Sequence, residues 1–194
     1  MTRPYAVLVA IASALCLLAA LGPMLGQPPA PVQDVPIRPP GVVIQIAPEP
    51  TRIVREAESG AIVPPMEVFE VAAASGGKYV MTPEPPGENE AKGGQAEFKL
   101  DINDPGKYNL WLRVEFDDSC DDSLDAKVGG REPVEVANNT YKVWQWVRAG
   151  WAPFDLESGA LTLAVKSRED GSRLDQILLT RDLKYVPVGV EALR

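Results

Sequence analysis

Apolar and polar side chains alternate along several short stretches of the chain from residue 96 onwards. The clearest stretch is 108–116, where Tyr, Leu, Leu, Val and Phe alternate with Asn, Trp, Arg and Glu after a turn at 104–106. Successive side chains of a strand point to opposite faces, so a period of two predicts strands with one buried face. The same pattern occurs at 96–102, 124–128, 141–147, 161–165 and 174–180.

Turn-forming residues separate these stretches, and no long amphipathic helical pattern lies between them. Gly, Asp, Asn or Ser bounds each stretch, as at 129–130 and 158–159. Many short strands without helical crossovers favour antiparallel pairing over an α/β arrangement. The sequence therefore predicts an all-β fold, an antiparallel β-sandwich of the jelly-roll type.

The N-terminal part of the chain has a different pattern. Arg3 precedes an uncharged, mostly apolar stretch at 5–25, which is typical of a secretion signal and is also long enough to span a bilayer. Residues 1–26 are predicted to be a signal peptide or an N-terminal membrane anchor. Prolines then recur through 27–51, and they favour an extended linker. We expect the sandwich at 52–188 and a C-terminal tail at 189–194.

Composition excludes several classes of function. The formal net charge is -8, so the field of the protein repels nucleic acid. Histidine is absent, which removes Ser-His and Cys-His catalytic pairs and histidine zinc ligands. The two cysteines are Cys16, within the apolar N-terminal stretch, and Cys120. An internal disulfide of the sandwich is therefore not expected.

A series of motifs after residue 52 resembles carbohydrate-binding module families 6 and 35. In chain order the motifs are REAE at 55–58, SGGKYV at 75–80, GKYNLWLRV at 106–114, WQW at 144–146, LESG at 156–159, REDG at 168–171 and LDQILLT at 174–180. The resemblance implies a galactose-binding-like β-sandwich that binds polysaccharide, commonly holds a structural calcium and is usually attached to a larger secreted glycoside hydrolase. It also implies a non-catalytic protein, whose hydrolase or envelope partner would be a separate chain.

Two carboxylates at the start of the predicted sandwich suggest a calcium site. Glu56 and Glu58 are two positions apart on a predicted strand, so both would project to one face and repel each other unless solvated or bridged by a cation. Calcium prefers such oxygen ligands. The resemblance adds Asp175, near the last core strand, to the same coordination sphere. A solvated acidic strand end is the alternative. The aspartate-rich loop at 117–125 lacks EF-hand spacing and is expected to be solvated.

Tryptophans near turn signals suggest a sugar-binding surface. A pyranose presents a C–H face that stacks on aromatic rings, while its hydroxyls need polar partners. We expect Trp144 or Trp151 to provide the platform and Trp146 to pack inside. Packing of these tryptophans in the core is the alternative. The resemblance places an asparagine of the sugar cleft at Arg173, and a guanidinium there would suit an acidic glycan or would mark a lost cleft.

Two functions therefore remain open from the sequence. The first is an exported, non-catalytic carbohydrate-binding module, stabilised by calcium and binding a poly- or oligosaccharide. The second is a cell-envelope interaction or structural module that has lost sugar binding. Both place the protein outside the cytoplasm, secreted or tethered to a membrane through its N-terminal segment.

Overall fold

The structure is a computed structural model that describes residues 49–84 and 93–194. The predicted signal or anchor segment and most of the predicted linker lie outside the described residues. Within the two described ranges, no helix is long and apolar enough to cross a membrane.

Twelve strands and two short 3₁₀ turns form the described part of the chain. The 3₁₀ turns are Ala57–Ser59 and Ser75–Gly77. The strands in chain order are β1 (Arg52–Glu56), β2 (Ala61–Val63), β3 (Glu67–Glu70), β4 (Lys78–Met81), β5 (Gln95–Ile102), β6 (Gly106–Glu115), β7 (Ser123–Val128), β8 (Val134–Ala137), β9 (Gln145–Arg148), β10 (Phe154–Leu156), β11 (Gly159–Ser167) and β12 (Arg173–Thr180).

The strands form two sheets in which every pairing is antiparallel. The five-stranded sheet has the order β2-β5-β11-β7-β8. In the seven-stranded sheet, β6 and β12 pair at the centre, β9 and β10 lie beside β6, and β1 and β4 lie beside β12, with β3 beyond β4. The predicted all-β, antiparallel sandwich is confirmed.

The core lies between the two sheets and follows from the period-two pattern. Leu110 and Leu112 of β6 are completely buried and pack with side chains of the opposite sheet, among them Phe98 and Leu163. The intervening residues of β6 point to the outer face of the seven-stranded sheet, where Arg113 is buried by other groups. That outer face carries the polar and aromatic side chains described below.

The C-terminal segment, residues 181–194, contacts the outer face of the seven-stranded sheet. The side-chain amide of Gln176 donates to the carbonyl of Glu191 at 2.9 Å and accepts from its N–H at 3.0 Å. Trp146 Nε1 donates to the carbonyl of Gly189 at 2.9 Å. The sequence predicted Trp146 inside the sandwich, and this is wrong. Val147 belongs to the core instead, because β9 turns that side of its pleat inward.

Candidate functional site

An ion pair between β6 and β12 lies beneath the candidate site. Arg113 is 6% exposed and donates from Nη1 to the carboxylate of Asp175, which is completely buried. The other carboxylate oxygen of Asp175 accepts the N–H of Ser75 at 2.8 Å. Burial raises the pKa of Asp175 to about 6, although both hydrogen bonds and the charge of Arg113 lower it. The pair fixes the guanidinium of Arg113 on the outer face of the sheet.

Trp144 packs on that guanidinium. The Arg113 side chain lies over the indole, with the guanidinium carbon 5.2 Å from the ring centroid. Tyr79 of β4 meets the indole edge to face at a centroid distance of 5.9 Å and stacks in turn on Phe69 of β3 at 5.6 Å. These distances are typical of rings in direct contact. Trp144 is half-buried and lies in the loop before β9.

The loop before β9 has a constrained backbone. Lys142 has a φ of 58°, which is uncommon for residues other than glycine and is found preferentially at functional sites. Its N–H donates to the carbonyl of Phe116 at 2.7 Å, and the Gln145 side chain donates to the carbonyl of Thr140 at 2.6 Å. The sequence predicted a strand over 141–147. Its start is wrong, because the strand begins only at Gln145 and Trp144 lies in the loop before it.

Arg173 also contacts Tyr79. Its guanidinium carbon is 5.8 Å from the centroid of the Tyr79 ring, and its Nη1 forms an ion pair with Glu115 of β6. Its Nε is buried without a hydrogen-bond partner among the described residues. We call this set of side chains the Trp144 cluster: Phe69, Tyr79, Arg113, Glu115, Trp144 and Arg173. Arg173 is paired with Glu115 inside the cluster and Arg113 with Asp175 beneath it, so each guanidinium has a carboxylate partner.

The predicted calcium ligands lie beside this cluster. Glu56 Oε1 accepts hydrogen bonds from Ser75 Oγ at 2.7 Å and from Gln176 Nε2 at 3.2 Å. Glu56 Oε2 and Glu58 Oε2 are both buried with no hydrogen-bond partner in the described part of the chain. Burial raises the pKa of Glu58, its own backbone N–H lowers it, and the nearby charge of Glu56 raises it further. Two buried carboxylate oxygens without partners fit a cation.

The local structure of this acidic pair differs from the prediction. Glu56 ends β1, whereas Glu58 lies in the first 3₁₀ turn, so the two are not on one strand. They approach each other because the chain bends at the strand end. Asp175 is linked to Glu56 through Ser75, which donates its N–H to one and its hydroxyl to the other. Both oxygens of Asp175 already accept hydrogen bonds from protein groups.

Trp151 lies away from the Trp144 cluster. It is in the loop that follows β9, at the opposite end of that strand from Trp144, and is 97% exposed. The three residues predicted to bind sugar are therefore divided. Trp144 and Arg173 contact the same tyrosine, Tyr79, while Trp151 lies at another place on the surface.

The aspartate-rich loop after β6 gathers three carboxylates. One ligand oxygen from each of Asp117, Asp118 and Asp121 lies within 4.8 Å of the others, and among the described residues no other acidic trio does so. Burial raises the pKa of Asp121 to about 6, with further increases from Asp118, Asp170 and other neighbours. The exposed Cys120 N–H donates to Asp118 at 2.8 Å.

Sequence reasoning missed the residues that connect these features. Tyr79 occurs in the SGGKYV motif, and Arg113 and Glu115 occur in the polar positions of β6, yet none of them was assigned to a site. Their partners lie in distant parts of the chain, at Trp144, Asp175 and Arg173. The one available signal was charge on the non-core face of a central strand, where a charged side chain needs a partner.

Comparisons by sequence find nothing similar. No family model matches the chain, and no curated protein sequence matches it.

Comparisons by structure find carbohydrate-binding modules. A family 35 carbohydrate-binding module from Clostridium thermocellum matches with a TM-score of 0.53 at 18% identity, over 66% of this chain and 97% of that one. The C-terminal family 6 module of a marine laminarinase from Zobellia galactanivorans matches with a TM-score of 0.50 at 16% identity, over 68% of this chain and 100% of that one.

Larger enzymes match over a minor part of their length. The exo-β-1,3-galactanase of Phanerochaete chrysosporium, with galactose bound, has a TM-score of 0.55 at 20% identity over 66% of this chain. The matched region spans only 29% of the galactanase chain, so the likeness concerns the shape of one region. The described part of the chain is a β-sandwich domain with the fold of carbohydrate-binding module families 6 and 35.

Proposed function

We propose that the protein is an exported, non-catalytic carbohydrate-binding module that binds a poly- or oligosaccharide at the Trp144 cluster. The observation that carries this proposal is the set of contacting aromatic rings, Trp144, Tyr79 and Phe69, which are half-exposed on the outer face of the sheet and are contacted by two guanidiniums. Aromatic faces offer the flat apolar surface on which a pyranose stacks, and the surrounding polar groups offer hydrogen bonds for its hydroxyls.

The geometry suggests how a sugar would be held. Arg113 covers one face of the Trp144 indole, so a sugar would stack on the remaining exposed surface. Trp144 and Tyr79 touch each other, and a pyranose could enter between them only if the rings separated. Stacking on the outside of the pair needs no such movement. Affinity is expected to be about micromolar to millimolar, because a shallow site exchanges sugar–water hydrogen bonds for similar ones to protein.

The ion pair of Arg173 bears on the charge of the ligand. Arg173 alone would attract an anionic sugar, but Glu115 already pairs with it and is only 15% exposed at its side chain. An anionic ligand would have to displace a partly buried carboxylate and would then leave it without a partner, which is costly. We therefore propose a neutral glycan for the native protein, with an Arg173 N–H as hydrogen-bond donor.

Calcium is part of the proposal as a structural ion. Glu56 and Glu58 would hold it, since each has a buried carboxylate oxygen without a partner. Asp175 would join them only by releasing Arg113 or Ser75. A divalent cation supplies the positive charge that neutralises the two glutamates and joins the end of β1 to the adjacent 3₁₀ turn. The hydrogen bonds of Glu56 to Ser75 and Gln176 would connect the ion site to β12.

The position of Asp175 supports a binding role without catalysis. Asp175 has the raised pKa that a catalytic acid needs, but its carboxylate is completely buried and paired with Arg113. It therefore cannot approach a glycosidic bond.

Export is proposed from the apolar N-terminal segment alone, and a hydrolase or envelope protein would act with this module as a separate chain.

An interaction module of the cell envelope is the second candidate function. The recurrence of exposed apolar side chains in the C-terminal segment favours it, since Val186, Val188, Val190 and Leu193 are between 53% and 82% exposed. Apolar side chains clustered on a surface commonly mark contacts with other proteins. Such a module would keep the sandwich and bind no sugar.

The proposal is tested by isothermal titration of the purified protein with neutral, uronate-containing and sulfated oligosaccharides. We expect binding to a neutral member, weakened about tenfold or more in Trp144→Ala, since one interface anchor commonly contributes that much. Val143→Ala, an exposed neighbour in the same loop, is the matched control and should bind normally. Absence of binding to every oligosaccharide would favour the interaction module.

Glu115→Gln tests the charge argument separately. The variant removes the carboxylate that pairs with Arg173 while keeping the size of the side chain. Binding of uronate or sulfated oligosaccharides should appear or strengthen several-fold and should weaken as salt is added. If the native protein prefers acidic glycans and this variant changes nothing, the role assigned to Glu115 is wrong.

A further inference from the structure

The most exposed large apolar side chain of the described residues is Trp151, and its position is fixed by the fold. Its neighbour Ala149 is 1% exposed and donates its N–H to the carbonyl of Leu110 at 2.9 Å. The Arg148 guanidinium donates to the carbonyl of Trp151 at 2.8 Å and to that of Gly150 at 3.3 Å. Gly150 has a φ of 71°, which a glycine adopts at little cost. The loop is therefore held on both sides while its indole, 97% exposed, points into solvent.

The protein surface around the indole has the composition of a sugar-binding surface. A depression of about 390 Å³ is lined by Trp151 together with Glu135, Ala137 and Arg148. A second one of about 400 Å³ is also lined by Trp151, together with Arg131, Glu132 and Pro153, among others. We call Trp151 and the four charged residues Arg131, Glu132, Glu135 and Arg148 the Trp151 surface.

The charges of the Trp151 surface favour a neutral polyol over an ion. Its two arginines and two glutamates balance, and several are already engaged within the protein. Glu135 forms an ion pair with Arg168 at 2.8 Å, and Arg131 donates to the carbonyl of Asp155. A ligand suited to this surface has a flat apolar face for the indole and hydroxyls that both donate and accept, as a neutral pyranose does.

The Trp151 surface is separate from the Trp144 cluster. Trp144 precedes β9 and Trp151 follows the turn after it, so the four residues of β9 lie between them. Four residues of extended strand span about 13 Å. A single pyranose cannot contact both tryptophans, whereas two sugar residues of a polysaccharide, or two separate chains, can do so.

We propose that Trp151 is the platform of a second glycan-binding site, which takes a neutral pyranose residue independently of the Trp144 cluster. This inference rests on the proposed function, that the domain binds glycans, and it makes one domain bivalent. Bivalent attachment strengthens binding to a long polysaccharide well beyond the affinity of either site, because the second contact forms at a high effective concentration.

The experiment compares the intact protein with Trp144→Ala, Trp151→Ala and the double variant. Titration with neutral trisaccharides should give two binding events in the native protein and one in each single variant. Sedimentation with insoluble neutral polysaccharide should show an apparent affinity at least about tenfold weaker in Trp151→Ala than in the native protein. Glu157→Gln, a change of an exposed residue after β10 that lines neither depression, is the control and should match the native protein.

The outcomes separate this inference from the proposed function. If Trp144→Ala abolishes all binding while Trp151→Ala has native stoichiometry and affinity, the second site is overturned and the first stands. If Trp151→Ala abolishes all binding and Trp144→Ala does not, the Trp151 site is supported and the Trp144 cluster is not the glycan site. No binding to any trisaccharide or polysaccharide overturns both. Self-association that Trp151→Ala removes, without glycan binding, identifies a protein contact in place of the second site.

Discussion

The two ends of β9 place the same side chain in opposite surroundings. Trp144, before the strand, is half-buried against Tyr79 and lies under the guanidinium of Arg113. Trp151, after the strand, is 97% exposed. At the first end the fold uses a buried ion pair and a group of aromatic rings to hold the indole in place. At the second end it holds only the backbone, through Arg148.

The difference between the two ends indicates two ways of presenting an aromatic platform. A half-buried ring is oriented by its neighbours, so its position depends on the polar network beneath it. An exposed ring on a braced loop can rotate about its side-chain bonds, so its binding depends little on the rest of the domain. Disturbing the network under Trp144 should therefore change stability and binding together, whereas changes near Trp151 should alter binding alone.

The largest expected effect comes from Arg113→Met. The substitution leaves Asp175 buried without its ion-pair partner, and such a loss costs about 3–5 kcal/mol. Urea unfolding at pH 7.5 should show a lower midpoint concentration, while the slope of the free energy of unfolding against urea concentration stays unchanged. Arg148→Met, at the Trp151 end, should lower the free energy of unfolding by only about 1 kcal/mol, since its hydrogen bonds are exposed.

Equal losses in the two variants would contradict the comparison between the two ends. Replacing both partners, with Arg113→Met and Asp175→Asn together, should recover much of the lost stability because no buried charge is left unpaired. If the double variant is as unstable as the single one, the loss comes from packing of Arg113 and not from its charge.

Calcium removal should have the next largest effect and should act at the Trp144 end. An ion that binds only the folded state at one hundred times its dissociation constant stabilises it by about 2.7 kcal/mol. The melting temperature should fall in chelator and recover when calcium is added. Glu58→Gln should abolish that response, because it removes one of the two carboxylates with a buried, unpartnered oxygen. Glu157→Gln, an exposed residue after β10, should keep it.

The same treatment sharpens the comparison of the two platforms. Chelator should lower the glycan affinity of Trp151→Ala, which retains only the Trp144 cluster, more than it lowers the glycan affinity of Trp144→Ala. The reason is that Glu56, Ser75 and Asp175 connect the calcium site to Arg113 and through it to Trp144. An unchanged melt of the native protein in chelator would argue against an exchangeable calcium ion at Glu56 and Glu58.

The sheet architecture could be predicted because it depends on a local signal. Alternation within 108–116 and 174–180 is enough to identify two strands with buried faces, and these became the central pair of the seven-stranded sheet. The same signal predicted a strand over 141–147 that begins only at Gln145, because a loop with apolar residues at alternate positions resembles a strand in sequence. The positive φ of Lys142 and its bond to Phe116 end the pleat before Trp144.

The candidate site was harder to predict because its residues meet only through tertiary structure. Glu56 and Glu58 were identified from their spacing, although a 3₁₀ turn and not a strand places Glu58. The pairings of Arg113 with Asp175 and of Arg173 with Glu115 join different strands, and no spacing rule within one segment contains them. Trp151 follows a glycine turn, which indicates a loop but not the nearly complete exposure of the indole.

The smallest expected effect concerns pH and the acidic loop, which follows β6 at the Trp144 end. Burial and neighbouring carboxylates raise the pKa of Asp121 from its ordinary value of 3.8 to about 6. Between those values the folded protein holds a proton that the unfolded chain has lost, so the free energy of unfolding falls as pH rises through this window and levels off above it. Asp121→Asn, which cannot ionise, should therefore melt at a temperature that falls less between pH 4 and pH 7. Asp155→Asn, an exposed change at the Trp151 end, should follow the native protein at every pH. Melting curves recorded in chelator keep calcium binding out of the comparison. A constant difference between native protein and Asp121→Asn across this range would show that Asp121 does not titrate within it.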